Sequence, residues 1–274
     1  MSFSEAWTIA FPQSMLIIAL VCAALSAVGF YKFVYFLSIG YGFAIAGSGI
    51  GLLVLYGSGM RLPMILLCLL LVAYGVRLSG YLLVREIKSA TYRKTLSKVA
   101  GSEKPMPIFV KAAIWIACFL MYTCQVSPVL YRLEANSGSD VMPVVSAIIM
   151  AIALIIETLA DQQKTAAKKV NPDRFCDTGL YRIVRCPNYL GEVLFWTGVL
   201  ISGFGALRGV VQWAIAIFGY ILLLYVMFSG AKRLEGRQNK SYGADPEYQA
   251  YVKETPILLP LVPLHSLQKV DFIK

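Results

Sequence analysis

Histidine is almost absent from this sequence, and acidic residues are scarce. The 274 residues include one histidine, His265, and 15 acidic residues against 25 basic ones. Because His265 follows the last long apolar run, the runs hold no histidine for acid–base chemistry or metal binding. The sequence also lacks a glycine-rich phosphate loop between a strand and a helix, which argues against a Rossmann or P-loop nucleotide domain.

The six cysteines show neither the spacing of a metal site nor the pattern of a disulfide scaffold. Cys176 and Cys186 fall in a basic segment that the charge pattern assigns to the cytoplasm, where thiols stay reduced. The other four lie in or beside apolar runs: Cys22, Cys68, Cys118 and Cys124. The sequence therefore predicts no metal site and no structural disulfide.

Apolar residues make up 58% of the chain, and its mean hydropathy is +0.68. A helix of ~20 apolar residues crosses the ~30 Å hydrocarbon core of a bilayer. The first run lacks the basic start and cleavage site of a signal peptide, so it is expected to remain as a span. The sequence predicts a single all-α membrane domain over residues 1–274, with seven transmembrane helices at 11–29, 34–57, 63–87, 108–131, 141–159, 188–206 and 209–229.

Basic residues alternate between the loops of this predicted bundle. Segments 88–107 and 160–187 and the tail after residue 229 are rich in lysine and arginine. The intervening loops hold only Arg61, Arg132 and Arg208. The positive-inside rule assigns the rich segments to the cytoplasm, with the N-terminus outside and the C-terminus inside. The net charge of +10 then reflects membrane topology rather than nucleic-acid binding.

Polar side chains recur inside the third apolar run. Tyr74, Arg77, Tyr81, Arg85 and Lys88 follow one another at spacings of three or four, so they share one helical face. Arg85 and Lys88 lie close enough to the basic segment to reach the interface. Arg77 lies nearly three turns deeper, which predicts either a functional site or a buried ion pair.

Charged residues also enter the fifth run. Glu157, Asp161, Lys164 and Lys168 share one helical face. Opposite charges at these spacings can simply support a helix, which accounts well for Lys164 and Lys168. Glu157 is still within the apolar run, and a carboxylate there needs a donor partner.

The sixth run opens with polar residues. Arg185, Asn188 and Glu192 are expected on one face, with Trp196 one turn further. Asn188 could cap the helix, but Glu192 lies a turn deeper and needs a hydrogen-bond donor. Basic loops beside buried carboxylates and an amide are compatible with NADPH. Its phosphates would meet the loops, and its carboxamide would bind Asn188 and Glu192.

Two segments carry a family resemblance. "DRFCDTGLYRIVRCPNYLGEVLFWTG" (173–198) and "SGAKRLEGRQNKSYGADPEYQAYVKETPILLP" (229–260) resemble the steroid 5-alpha-reductase family, and more closely its bacterial membrane branch. With the third run, the resemblance covers roughly residues 63–265. It implies a helical bundle in a bacterial inner membrane, with a site for NADPH facing the cytoplasm. It also implies reduction of a carbon–carbon double bond conjugated to a ketone in a lipophilic substrate.

The resemblance implies roles for individual residues. Asn188 and Glu192 match the residues that hold the nicotinamide end, Tyr74 the tyrosine that donates the proton, and Arg77 an arginine one turn on. Tyr41, Tyr74 and Trp196 are expected to contact the substrate. The further cofactor contacts implied are Asp161, Lys164, Lys168, Arg174, Tyr181, Arg233 and Tyr242.

The second run departs from the steroid enzymes, which place there a glutamate that partners the tyrosine. Residues 34–57 contain no acidic residue, and Tyr41 and Ser38 are the nearest polar candidates. The substrate is therefore left open among steroids, other lipid enones, quinone-like molecules and isoprenoids.

Two other functions remain open at this point. Membrane isoprenylcysteine and phospholipid methyltransferases share a related core, but their pattern has a histidine where this chain has Cys186 and a second glutamate that "RLEGR" lacks. A small transporter or lipid-binding scaffold could also line a path with polar faces, although no inverted repeat is visible.

Overall fold

The computed structural model describes Trp7 and residues 9–88, 106–136 and 141–271, and this part of the chain contains α-helices and short 3-10 turns without a strand. The basic residues Arg93, Lys94, Lys98 and Lys104, predicted to lie in a cytoplasmic loop, fall outside it. Its α-helices are α1 (Gln13–Ser26), α2 (Ile39–Tyr56), α3 (Leu62–Lys88), α4 (Ile108–Ala135), α5 (Met142–Val170), α6 (Pro187–Ser202), α7 (Gly209–Tyr242) and α8 (Pro246–Glu254).

The described residues confirm the prediction of an all-helical protein, and the long apolar helices indicate a membrane protein. Within the described residues, six stretches are long and apolar enough to cross a bilayer: Gln13–Phe30, Phe33–Tyr56, Leu62–Lys88, Ile108–Ala135, Met142–Val170 and Gly209–Tyr242. The run predicted as a span at 188–206 forms α6. Its 16 residues rise about 24 Å, which is less than the ~30 Å of a hydrocarbon core.

The chain divides into two compact units. The first comprises residues 1–147 and 199–220, and the second comprises residues 148–198 and 221–274. The boundaries fall inside α5, α6 and α7, so each of these helices contributes to both units.

Within the first unit, α2 and α3 cross in backbone contact. A Cβ atom added at Gly75 would lie 2.2 Å from the carbonyl oxygen of Gly42, and one added at Gly42 would lie 2.3 Å from Oγ of Ser79. The Ser79 hydroxyl donates a hydrogen bond to the carbonyl of Ile39 at 2.8 Å. Small residues inside the second apolar run therefore serve close helix packing.

Polar contacts tie the helices together at both ends of this unit. At one end, the Ser14 and Tyr56 hydroxyls each donate to Oε1 of Glu134 at 2.5 Å. At the other, Glu86 accepts from Nζ of Lys32 at 2.5 Å and from the Tyr35 hydroxyl at 2.7 Å. Since α1 begins where α2 ends, the two helices run antiparallel.

Arg132 differs from its predicted position. It was expected in a loop after the fourth span, but α4 continues to Ala135 and buries Arg132 to 2% exposure. Its Nε donates to the carbonyl of Ser202 at 2.6 Å, and its Nη2 donates to that of Phe204. The guanidinium thus satisfies carbonyls left free where α6 ends.

The second unit is built around the start of α6. The backbone N–H groups of Arg185 and Cys186 donate to the carbonyls of Pro256 and Ile257 at 2.9 and 3.0 Å. A buried apolar cluster covers this contact, formed by Cys186, Ala231, Ile257, Leu258 and Leu267. The segment after α8 therefore packs against the residues that lead into α6.

Gly75→Ala should destabilise the protein by about 1–3 kcal/mol, because an added methyl group overpacks the crossing of α2 and α3. Gly80→Ala is the matched control, since its added Cβ meets no heavy atom within 4 Å on the same helix and alanine favours helix. Denaturant unfolding in detergent measures both variants. Equal stability of the two would contradict the close crossing.

Candidate functional site

Three tyrosines form a buried cluster in the first unit. Tyr74 is completely buried, and its hydroxyl donates a hydrogen bond to that of Tyr41 at 2.9 Å. The ring of Tyr41 lies 4.9 Å from that of Tyr122, whose hydroxyl donates to the carbonyl of Phe36 at 2.5 Å. The predicted proton donor and the predicted polar candidate of the second run therefore meet.

The helix crossing explains why these tyrosines meet. Tyr41 directly precedes Gly42, and Tyr74 directly precedes Gly75. Because the two glycines bring the backbones of α2 and α3 into contact, the residue before each glycine is held at the same level of the bundle. The hydrogen bond between the Tyr41 and Tyr74 hydroxyls therefore depends on the neighbouring glycines, which have no side chain to separate the helices.

The rest of the predicted polar face of α3 is more exposed than Tyr74. Arg77 is partly buried one turn further along, and Arg85 and Lys88 are exposed. Glu86, which sequence reasoning overlooked between these two basic residues, is buried and binds Lys32 and Tyr35. Twelve residues separate Glu86 from Tyr74, about 18 Å along a helix, so it does not replace the second-run glutamate of the steroid enzymes.

Gln125 is a second overlooked polar residue of the first unit. It lies one turn beyond Tyr122 on α4 and is 3% exposed. Its amide oxygen and nitrogen are both buried, and neither has a hydrogen-bond partner among the described residues. A glutamine inside an apolar run is visible in the sequence, and its depth marks it as a candidate polar contact for a ligand.

Two buried carboxylates lie on α5 and α6 in the second unit. Glu157 is 1% exposed and Glu192 is 7% exposed. The helices approach closely beside them, since a Cβ added at Gly191 would lie 2.4 Å from Cγ of Glu157. Both acids are therefore as deeply placed as their positions in the apolar runs predict.

Asn188 does not cap α6. The carbonyl of Cys186 accepts from the N–H groups of Tyr189 and Leu190 at 3.1 and 3.0 Å, so Cys186 holds the cap position. Asn188 is the second residue of the helix, and its side chain is partly exposed. Glu192 follows one turn later and the buried Trp196 one turn after that, which gives the predicted shared face.

Lys168 and Tyr242, two of the predicted cofactor residues, form a hydrogen bond with each other. Nζ of Lys168 donates to the carbonyls of Pro172 and Arg174 at 2.8 and 2.6 Å, and to the hydroxyl of Tyr242 at 2.7 Å. The ammonium also lies 5.2 Å from the centre of the Tyr242 ring. The lysine thus holds the turn after α5 against α7, and its predicted contact with a phosphate stays a prediction.

Arg174 is neutralised by two carboxylates. It binds Asp177 at 2.9 Å and Glu247 in a second ion pair, and its guanidinium lies 4.8 Å from the ring centre of Phe175. The hydrogen bonds that Arg174 donates to Glu247 and Asp177 raise its pKa above the usual range. Its predicted role at the adenosine phosphates also stays a prediction.

The other predicted cofactor residues differ in exposure. Tyr181 is buried, and its hydroxyl donates to the carbonyl of Ala160 at 3.3 Å. Asp161 and Lys164 are partly buried on α5, and Arg233 is exposed on α7. The basic groups accessible to a phosphate in this unit include two that sequence reasoning did not single out as ligands, Arg182 and Arg237.

Arg185 does not share the polar face of α6, contrary to the prediction. It precedes the helix and forms a buried ion pair with Glu235, at 3.1 Å, in which each side chain is 1% exposed. Arg185 also binds the carbonyl of His265, while Glu235 accepts from the N–H of Leu267 at 2.9 Å. The pair joins α7 and the C-terminal segment to the start of α6.

The thiol beside this pair is held in its neutral form. Burial raises the pKa of Cys186 to about 12, and all six cysteines are free thiols. A thiol that stays protonated at neutral pH is a poor nucleophile. Among the described residues, no group of three histidine, cysteine or acidic side chains is placed to hold a metal ion.

Glu235→Gln should destabilise the protein by about 3–5 kcal/mol, because Arg185 then keeps a buried charge without a counter-charge. Glu247→Gln removes one partner of the partly exposed Arg174 and should change stability far less. Denaturant unfolding in detergent compares them. A loss in Glu235→Gln no larger than in Glu247→Gln would show that the buried pair is not a main source of stability.

Comparison with known proteins yields one family. No curated protein and no solved structure matches the chain. A family model described as "Protein of unknown function (DUF1295)" matches residues 13–255. Because that match covers most of the sequence, the chain belongs to this family.

Proposed function

We propose that this protein is an NADPH-dependent membrane reductase that saturates a carbon–carbon double bond conjugated to a ketone in a lipophilic substrate. The observation that carries the proposal is the buried hydrogen-bonded pair of Tyr74 and Tyr41. A phenol in a dry apolar bundle is a suitable donor to a ketone oxygen that gains negative charge during reduction.

The residues of the second unit fit the chemistry of a nicotinamide nucleotide. Glu192 offers a buried acceptor for a carboxamide N–H, and Asn188 offers a donor for its carbonyl. Lys164, Arg233 and Arg237 supply positive charge for phosphates. Bound NADPH would supply the hydride for the reduction.

The proton steps follow from the tyrosine pair. Tyr74 turns its O–H from Tyr41 to the substrate oxygen and transfers the proton there, which leaves a phenolate on Tyr74 and an enol that tautomerises to the saturated ketone. The hydroxyl of Tyr41, already 2.9 Å away, then donates to that phenolate and stabilises it. Arg77, one turn along α3, adds positive charge near the developing anion.

The substrate is proposed to be lipophilic because the tyrosines lie among apolar membrane helices. Gln125, one turn from Tyr122, supplies a polar contact for a second oxygen-bearing group of the substrate. The position of Cys186 argues against the methyltransferase alternative. It takes the place of that family's histidine, yet it is a buried neutral thiol under the C-terminal segment.

The proposal includes a topology with α6 as a seventh, short span, the N-terminus outside and the C-terminus in the cytoplasm of a bacterial cell. Charge within the first unit supports it. Lys32, Arg85 and Lys88 lie at the end assigned to the cytoplasm, and Glu134 lies at the other.

Glu192→Gln should weaken NADPH binding by about 1–3 kcal/mol, the cost of losing a charged hydrogen-bond partner. Glu254→Gln, a change of the same type at an exposed position of α8, should leave the affinity unchanged. Titration of detergent-purified protein with NADPH measures both. Wild-type affinity in a folded Glu192→Gln protein would refute the assignment of this carboxylate.

Tyr74→Phe should lower the rate of enone reduction by about 10²–10⁴, the usual contribution of a positioned general acid. Tyr41→Phe removes the same hydrogen bond from its acceptor side, so it should cost similar stability but much less rate. NADPH affinity should persist in both. Single-turnover NADPH oxidation, with any lipophilic enone that the wild-type protein reduces, measures the rates.

Tyr131→Phe controls for the loss of a buried tyrosine hydroxyl in the same unit, since Tyr131 donates to the carbonyl of Ala10 at 2.7 Å. It should reduce enones at the wild-type rate. A Tyr74→Phe protein that is as fast as Tyr131→Phe would exclude Tyr74 as the acid.

A further inference from the structure

An apolar loop follows α8 in the second unit. Residues 256–264, the tip loop, consist only of proline, isoleucine, leucine and valine. Nine residues are too few to cross a bilayer, which takes ~20 in a helix. The loop nevertheless has the composition of a segment that avoids water.

The two ends of the tip loop are fixed in the protein, and its middle is not covered. The N–H of Ile257 donates to the carbonyl of Leu264 at 2.9 Å, which closes the loop. Ile257 and Leu258 are fully buried, whereas Leu261 is fully exposed and Val262 is 43% exposed. The loop therefore presents two large apolar side chains away from the protein.

The backbone at the tip is held in an unfavourable conformation. Leu261 has φ of +67°, in the left-handed region that residues other than glycine rarely adopt. The N–H of Leu264 bonds to the carbonyl of Val262 at 2.7 Å, which keeps the turn tight. Strained backbone positions concentrate at functional contacts. Both the strain and the exposure of an apolar side chain to water are unfavourable, so we expect Leu261 to contact an apolar partner.

The position of the tip loop, beside the ends of two apolar helices, indicates which partner it contacts. The buried cluster beneath it includes Ala231, with Phe228 and Leu234 packed at its edge. This is where the apolar run of α7 gives way to Lys232 and Arg233. The cluster also contains Cys186, at the start of α6. The end of one apolar helix and the start of another both mark the surface of a bilayer.

We propose that the tip loop inserts Leu261 and Val262 into the lipid bilayer at its surface. The apolar tip meets the outer part of the acyl chains, and the basic residues beside it meet lipid phosphates. Lys269, which the proposed cofactor site does not use, is exposed just after the loop, and the Lys232 ammonium binds the carbonyl of Val270 at 2.9 Å. This charge favours anionic headgroups. The loop thereby anchors the C-terminal segment, independently of any catalytic activity.

The test uses the full-length protein in vesicles of phosphatidylcholine and phosphatidylglycerol. A fluorescent amino acid is incorporated at position 261, or at position 262 in a second variant. A label at the exposed Lys253 of α8 is the control. Emission is measured with phosphatidylcholine brominated near the headgroup end of its acyl chains, and separately with iodide in the water.

Labels at positions 261 and 262 should lose most of their emission to lipid bromine and little to iodide, whereas the label at 253 should show the reverse. Quenching of both tip labels by iodide, as at 253, would place the loop in water and overturn the proposal. Tip labels protected from both quenchers would be covered by protein, for example by a second copy, and would overturn it too.

Discussion

A charged side chain that leaves water is stabilised by a partner within the protein, and this constraint shapes both units. The guanidinium of Arg185 meets Glu235, and that of Arg132 meets two carbonyls. Lys32 and Tyr35 meet Glu86 at the end of α3. Each contact joins segments that are distant in the sequence. Losing one of the partners would leave a buried charge without compensation, at a cost of about 3–5 kcal/mol. The helices supply apolar area, but these pairs determine which helix ends adjoin.

The candidate chemistry depends on packing rather than on charge. Tyr41 and Tyr74 reach each other because the residues that follow them are glycines, and the backbones touch there. In the second unit, Gly191 gives α5 and α6 a similar approach beside Glu157, with Glu192 the next residue. Small residues thus lie directly beside the polar ones in both units, where they remove bulk that would separate the helices.

Apolar run length predicted the helical class, and position inside the runs predicted the burial of Glu157, Glu192 and Tyr74. The spacing of charged residues in the sequence could not identify which residues form ion pairs with one another. Glu86 stands between two basic residues and Glu235 lies in a basic stretch, so both look solvated, yet both are buried. Arg185 was assigned to a helix face because its capping was unknown, and the helix begins two residues later. Partner choice depends on tertiary contacts, which no local pattern contains.

The contact between residues 185–186 and residues 256–257 also orders events during synthesis. The ribosome completes α6 long before it makes the segment whose carbonyls receive those two N–H groups. Glu235 likewise waits for the N–H of Leu267. Until then Arg185 and Glu235 lack the backbone partners that the C-terminal segment supplies. The second unit therefore completes its packing only after its last residues have been synthesised.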